Sequence, residues 1–280
     1  MNKVSQINQT SIKSVSRRLA SIPKSSTSAQ SSAPISSSTS SSTSSSIPKS
    51  STSSSTSSSP SSSMPNKIAI YTANFGNYRN EFSNFNNLRF DKNIDYYIFT
   101  ENNHVKLKNW NVIYTKLQPS LDFMDANRHT SKFCKFMVPE ILLKYEIIIW
   151  IDTKSIKNMN FKSDKILRFF NGNDDMYFIK HKNRINTMEE LMLTIAKKLE
   201  SKIHGLNFMN KIKNLNFKSH LPDTYCIAYK NNSNNITLLN KVYHHLLEEK
   251  LCRDQNIIQY VWMLYEYENK IKYFTLNDIS

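Results

Sequence analysis

From residue 66 onward, short apolar runs closed by Asn, Asp or Gly alternate with segments in which apolar residues recur every three or four positions. KIAIYTANFG (67–76), DYYIFTE (95–101) and WNVIYTK (110–116) are rich in β-branched and aromatic residues and predict strands. Helical spacing follows from Asp125 to Met137, breaks near Pro139 and resumes through Leu143. EIIIWID (146–152) has no polar alternation, the pattern of a strand buried on both faces. DDMYFIKHK (174–182) predicts another strand, and Thr187 with Glu190 three residues on forms a capping box for the helix after it. In that helix Met188, Leu191, Met192, Ile195 and Leu199 make a core-facing stripe.

TYCIAYK (224–230) and IKYFTL (271–276) complete the strands, and 234–249 and 254–267 carry helical patterns, the latter with Ile257, Ile258, Val261, Trp262 and Tyr265 on one face. Residues 204–220 show no clear pattern and read as a mobile loop over the site. The alternation of strands and helices predicts one α/β domain over 66–280, built on a mostly parallel sheet flanked by helices.

The preceding segment, 1–65, changes the picture only at the amino terminus. It is dominated by Ser and Thr, repeats SIPKSSTS at 21–28 and 46–53, and has too little apolar surface to offset the entropy of ordering, which predicts a disordered tail. Lys3, Lys13, Arg17, Arg18, Lys24 and Lys49 stand there without a single Asp or Glu, so part of the formal net charge of +15 belongs to the tail. The remaining excess favours polyanionic partners without choosing among them. No apolar run approaches the ~20 residues of a spanning helix, and no apolar stretch follows the first basic residues as in a signal peptide. Cys134, Cys226 and Cys252 lack metal-type spacing and read as reduced, packed thiols. Together these predict a soluble, cytoplasmic protein.

Candidate chemistry gathers where strands end, because ligands of open α/β sheets collect at the carboxyl edge. Asp152 stands at such an edge with Lys154 two residues on; the carboxylate suits a divalent cation sharing a diphosphate, and the ammonium suits phosphate. The plainer reading is an Asp that turns the chain beside a solvated Lys. HKNR (181–184) places His181 and Arg184 after a strand, and CRDQ (252–255) places Arg253, Asp254 and Gln255 before a helical stripe, where Asp254 is also a natural N-cap. Arg128, Lys132 and Lys135, at i, i+4 and i+7, share a helix face. No glycine-rich phosphate loop is present among the three glycines.

In order, IAIYTANFGNY, DYYIFTE, the helix with Arg128 and Lys132, WIDTK, HKNR with Glu189 and Glu190, and RDQ resemble the glycosyltransferase-like domain of the plant turgor-defect and mucilage-related proteins and their bacterial relatives, across nearly all of 66–280. The resemblance implies a GT-A-like (Rossmann-like) fold and transfer of a sugar from a nucleotide-diphosphate donor to a hydroxyl of a glycan, lipid or protein acceptor. It implies Thr72 and Asn74 near the nucleoside, and Arg128, Lys132 and Lys135 facing base or diphosphate. Asp152 would be catalytic and hold Mn or Mg, with Lys154 on phosphate. His181 and Arg184 would border the sugar, Arg253 and Gln255 would complete the donor site, and Asp254 would take the acceptor's proton or orient it. Glycines of the family's later half and an aromatic residue before RDQ are absent here. The alternatives are an inactive transferase-like interaction protein and a basic nucleic-acid-binding protein using its Tyr and Phe residues to stack on bases.

Overall fold

A computed structural model describes residues 67–76, 82, 83, 85, 88–157 and 159–280. The Ser-rich segment expected to be disordered lies outside the described residues.

Among the described residues, seven strands form one sheet: β1 (Ile68–Ala73), β2 (Ile94–Thr100), β3 (Asn111–Tyr114), β4 (Ile147–Ile151), β5 (Met176–Lys180), β6 (Pro222–Lys230) and β7 (Ile271–Phe274). Their spatial order is β3-β2-β1-β4-β6-β5-β7. The pairs β1–β2, β1–β4, β2–β3 and β5–β7 are parallel, and β6 alone runs against both of its neighbours. This is the mostly parallel α/β sheet that the strand and helix alternation predicts.

The helices are α1 (Ala126–Phe136), α2 (Thr153–Ile156), α3 (Ser163–Phe169), α4 (Thr187–Ala196), α5 (Lys202–Ile212), α6 (Ser233–Glu248) and α7 (Ile258–Leu264). Short 3-10 turns lie at Glu140–Leu142, Asp254–Asn256 and Leu276–Asp278. All six β1 residues are buried, as are all five of β4, which is why neither strand shows polar alternation.

Alternate residues feed two cores. Ala69, Tyr71 and Ala73 of β1 pack in one with Phe136 of α1, Leu239 and Val242 of α6 and Trp262 of α7. Ile68 and Ile70 pack in the other with Ile149 and Ile151 of β4, Ile156 of α2 and Ile166 of α3. Burying each of the Ile, Leu, Val and Phe side chains contributes roughly 1.5–3 kcal/mol.

Several expectations are corrected. Residues 204–212 are not a loop over the site, because α5 occupies 202–212 and buries Phe208 and Ile212; only 213–220 is irregular. Its Lys and Asn residues and Gly205 interrupt the apolar stripe that would reveal it. The cap of α4 falls one residue early, with the Asn186 side chain accepting from the Glu189 amide at 3.1 Å. Thr187 donates its amide and hydroxyl to Gln259 Oε1, and Glu190 turns inward to pair with Arg184. Of the α4 stripe, Leu191 is fully buried, whereas Met192 and Leu199 are exposed and Leu199 lies beyond the helix end. The predicted helix over 254–267 opens as a 3-10 turn and becomes α-helical only at Ile258. No helix among the described residues is long and apolar enough to cross a membrane.

Because Phe208 packs in the core and stacks edge-on against Tyr260 at 5.3 Å, Phe208→Ala is expected to cost about 3–5 kcal/mol in denaturant unfolding. A loss near zero would return this segment to the loop reading.

Candidate functional site

A cleft of about 380 Å³ opens where β1 and β4 end. Since β6 is reversed, its first residues, Asp223 to Tyr225, arrive at the same edge and form a wall. Here β6 carries surplus chain: Ile179 pairs with Asp223 but the preceding Phe178 pairs with Ile227, so the residues between leave β5. The backbone meanwhile stays joined to β4 through the Asp152 amide, which donates to the Tyr225 carbonyl at 2.8 Å. Such a bulge re-aims side chains at a sheet edge.

Helix α1 supplies the opposite wall. Asp125 caps it by accepting from the Arg128 amide at 2.9 Å, and one face carries Arg128, Lys132 and Lys135 into the cleft. The other face buries His129, Thr130, Cys134 and Phe136. Gly76, in the turn three residues beyond β1, has φ +75°, donates its amide to Glu101 Oε1 at 2.7 Å and lies so close to α1 that a Cβ there would sit 2.4 Å from Asn127 Nδ2.

At the centre is a chain of alternating charges. Asp254 accepts from Lys132 Nζ at 2.8 Å and from Lys135 Nζ at 2.6 Å. Lys135, whose side chain is 2% exposed, lies 3.8 Å from Asp152, and Lys154 lies 3.8 Å from the other Asp152 oxygen. The Trp150 indole donates to Asp152 Oδ1 at 2.9 Å, and its ring centroid is 5.5 Å from the Lys135 ammonium. Asp152 occupies the N-cap position of α2 but makes no capping bond, so its carboxylate serves the cleft rather than the chain turn.

Burial alone would raise the Asp254 pKa, but the Lys132 and Lys135 ammoniums hold it well below the usual carboxylate range. Burial likewise lowers the pKa of Lys132, aided by Lys135 and opposed by Asp254. Both Asp254 oxygens are engaged by cations, which suits it to orienting groups and not to accepting a proton. Asp223 behaves oppositely: burial raises its pKa, and the Asp152 charge adds to the rise against His181 and Lys154.

The 252–256 segment is held from beneath. The buried Glu200 carboxylate accepts from the Cys252 and Arg253 amides at 3.0 and 3.1 Å and from Asn256 Nδ2 at 3.0 Å. Arg253 donates to Gln255 Oε1, and Gln255 Nε2 donates to Asp223 Oδ1, both at 3.1 Å.

Nine residues singled out from sequence line this one cleft: Asn74, Arg128, Lys132, Lys135, Asp152, Lys154, Arg253, Asp254 and Gln255. Three do not. Thr72 is buried within β1. His181 sits at the end of β5 with Nε2 2.7 Å from Arg184, and burial followed by the Arg184 charge lowers its pKa. Arg184 pairs with the buried Glu190 and does not line the cleft. Sequence reasoning missed Asp223 and Glu200, whose signals lie in a strand bulge and in contacts spanning some 50 positions. The Asn74 Nδ2 is buried at the cleft and has no hydrogen-bond partner among the described residues. An unmet buried donor costs about 1–3 kcal/mol, which a ligand acceptor would recover.

The side chains around Asp152 do not fit the divalent cation expected there. Two ammoniums already flank the carboxylate, Lys135 and Lys154, each 3.8 Å from one of its oxygens. Unit charges 4 Å apart interact by about 4 kcal/mol at the dielectric typical near protein surfaces, and the repulsion doubles for a doubly charged ion.

No family model matches the chain, and no curated protein matches it. Among solved structures the chain is similar to the galactosyltransferase LgtC, in complex with donor and acceptor sugar analogues, at 8% identity over 73% of this chain and 72% of the other, with TM-score 0.39. It is also similar to mouse xyloside xylosyltransferase 1, at 9% identity over 74% and 83% with TM-score 0.39. A third similarity is to 4-diphosphocytidyl-2C-methyl-D-erythritol synthase from Anaerococcus prevotii, at 10% identity over 75% and 89% with TM-score 0.33.

Asp254→Asn leaves two ammoniums facing each other and is expected to destabilise the fold by about 3–5 kcal/mol at neutral pH. The Asp254 pKa is depressed in the folded state, so its stabilisation is complete above the unfolded value near 4 and fades as pH falls toward the folded one. Urea unfolding of both proteins should therefore show a gap that narrows below about pH 4.

Proposed function

We propose that the chain is a glycosyltransferase of the GT-A type, moving a sugar from a nucleoside-diphosphate donor to an acceptor hydroxyl. The observation that carries this reading is the convergence of Lys132, Lys135, Lys154 and Arg253 with Asp152 and Asp223 at the carboxyl edge of a mostly parallel sheet. Phosphate oxygens suit the exposed Lys154 and the partly exposed Lys132 and Arg253. The unpartnered Asn74 amide suits a nucleoside acceptor group.

In transfer, the bond from the anomeric carbon to the diphosphate breaks and a bond to the acceptor oxygen forms, through an oxocarbenium-like state. Negative charge grows on the departing diphosphate, where fixed cations stabilise it more than they stabilise the bound donor. The acceptor proton has to leave as its oxygen attacks, and Asp223, with its raised proton affinity and its place on the wall, is the better carboxylate to take it. Asp254 orients Lys132 and Lys135, and Asp152 orients Lys135 and Lys154 toward the donor.

The nucleic-acid reading is not favoured by the aromatics Tyr71, Tyr97, Phe99, Trp150 and Trp262, which are packed in the core and not offered for stacking. Nucleotide release from a panel of nucleotide sugars, with sugar acceptors, tests the transferase reading. Asp152→Ala should abolish turnover while keeping the fold, and Asp223→Asn should cut it by about 10²–10⁴-fold with nucleotide affinity retained. Equal donor turnover by wild type and both variants would remove it.

A further inference from the structure

The geometry points to a donor diphosphate held by the chain's own cations: Lys154, Lys132 and Lys135, with Arg253, take the place that a divalent cation fills beside an acidic pair, and the site works without metal. This rests on the transferase reading. Three observations carry it. The first is position: Lys154 stands two residues beyond Asp152, on α2 at the end of β4, and its side chain is 61% exposed at the cleft. A long, exposed amine at the mouth can follow a phosphate as it departs.

The second is the state of Asp152. One of its oxygens accepts from the Trp150 indole and faces Lys135, and the other faces Lys154. Its lone pairs are thus turned toward donors already present in the protein. A cation bound there would displace Lys154 and meet Lys135, which cannot retreat because it is buried and anchored to Asp254 at 2.6 Å.

The third is the other carboxylate on that wall. Asp223 is the natural second ligand, yet its Oδ1 already accepts from Gln255 Nε2 at 3.1 Å. A carboxylate oxygen tied to a neighbouring amide must give up that hydrogen bond before it can ligate Mg²⁺ or Mn²⁺. The cleft is therefore arranged as an anion site whose cations are covalently part of the chain, with Asp254 and Asp152 spacing them.

The test uses the full chain and three probes: Mn²⁺ alone, the nucleotides UDP, GDP and CDP, and donor turnover, each measured by titration or product release in EDTA and in Mn²⁺. Expected is no saturable Mn²⁺ binding by the wild type, and at least one nucleotide bound equally in both buffers within about threefold. Lys154→Ala should weaken that nucleotide roughly tenfold in either buffer. Lys154→Asp should lose it in EDTA and recover it in Mn²⁺, because the substitution supplies a second carboxylate; unchanged thermal unfolding shows that the fold is kept.

Wild-type nucleotide binding that appears only with Mn²⁺ would overturn the metal-free site while leaving the transferase reading in place. Failure of all three nucleotides in both buffers would overturn the transferase reading and this inference with it.

Discussion

A buried ammonium must be answered by a carboxylate, and Lys135 fixes much of the functional half of this molecule through that requirement. Its side chain is almost fully removed from water, and Asp254 meets it from a turn more than a hundred residues away in sequence. Removing such charges from water costs several kcal/mol each, so attraction offsets the loss only if the geometry is close and every oxygen is used. The Asp254 carboxylate satisfies that condition by bridging two lysines of one helix. Helix α1 and the 254–256 turn are thereby locked together at the rim of the cleft. Glu200 fixes the same turn from the side away from the lysines, through two backbone amides and the Asn256 side chain. The charged cleft is thus continuous with the packing that holds the domain, and Lys132 and Lys135 are held in place by Asp254.

What could be read from the sequence follows from which signals are local. β1 and β4 were legible because burial on both faces leaves an uninterrupted apolar run. The α1 face was legible because Arg128, Lys132 and Lys135 repeat at helical spacing, and all three reach the cleft. Asp152 and Asp254 were legible as acidic residues at element ends, although only the structure separates a cap from a cleft-facing carboxylate.

Other features depend on distant partners. α5 hides its core face behind Lys, Asn and a glycine, and packing of Phe208 and Ile212 overrides that weak pattern. The α4 cap shifted because Gln259, 72 residues on, claims the Thr187 amide and hydroxyl. Arg184 looked like a cleft residue until Glu190 proved to be buried beside it. Asp223 lies just before the predicted strand 224–230, and only the reversal of β6 turns that amino end toward the cleft.

The departure of β6 from β5 has a consequence for how such a cleft can change. A wall made from spare backbone, instead of from a helix or a ladder rung, is free to lengthen, shorten or swap side chains while Cys226 keeps its place opposite Ile151 and the sheet stays closed. Variation in the few positions after Pro222 can therefore reshape what the cavity admits without disturbing helix α1, the end of β4 or the 254–256 turn, which carry Lys132, Lys135, Asp152 and Asp254.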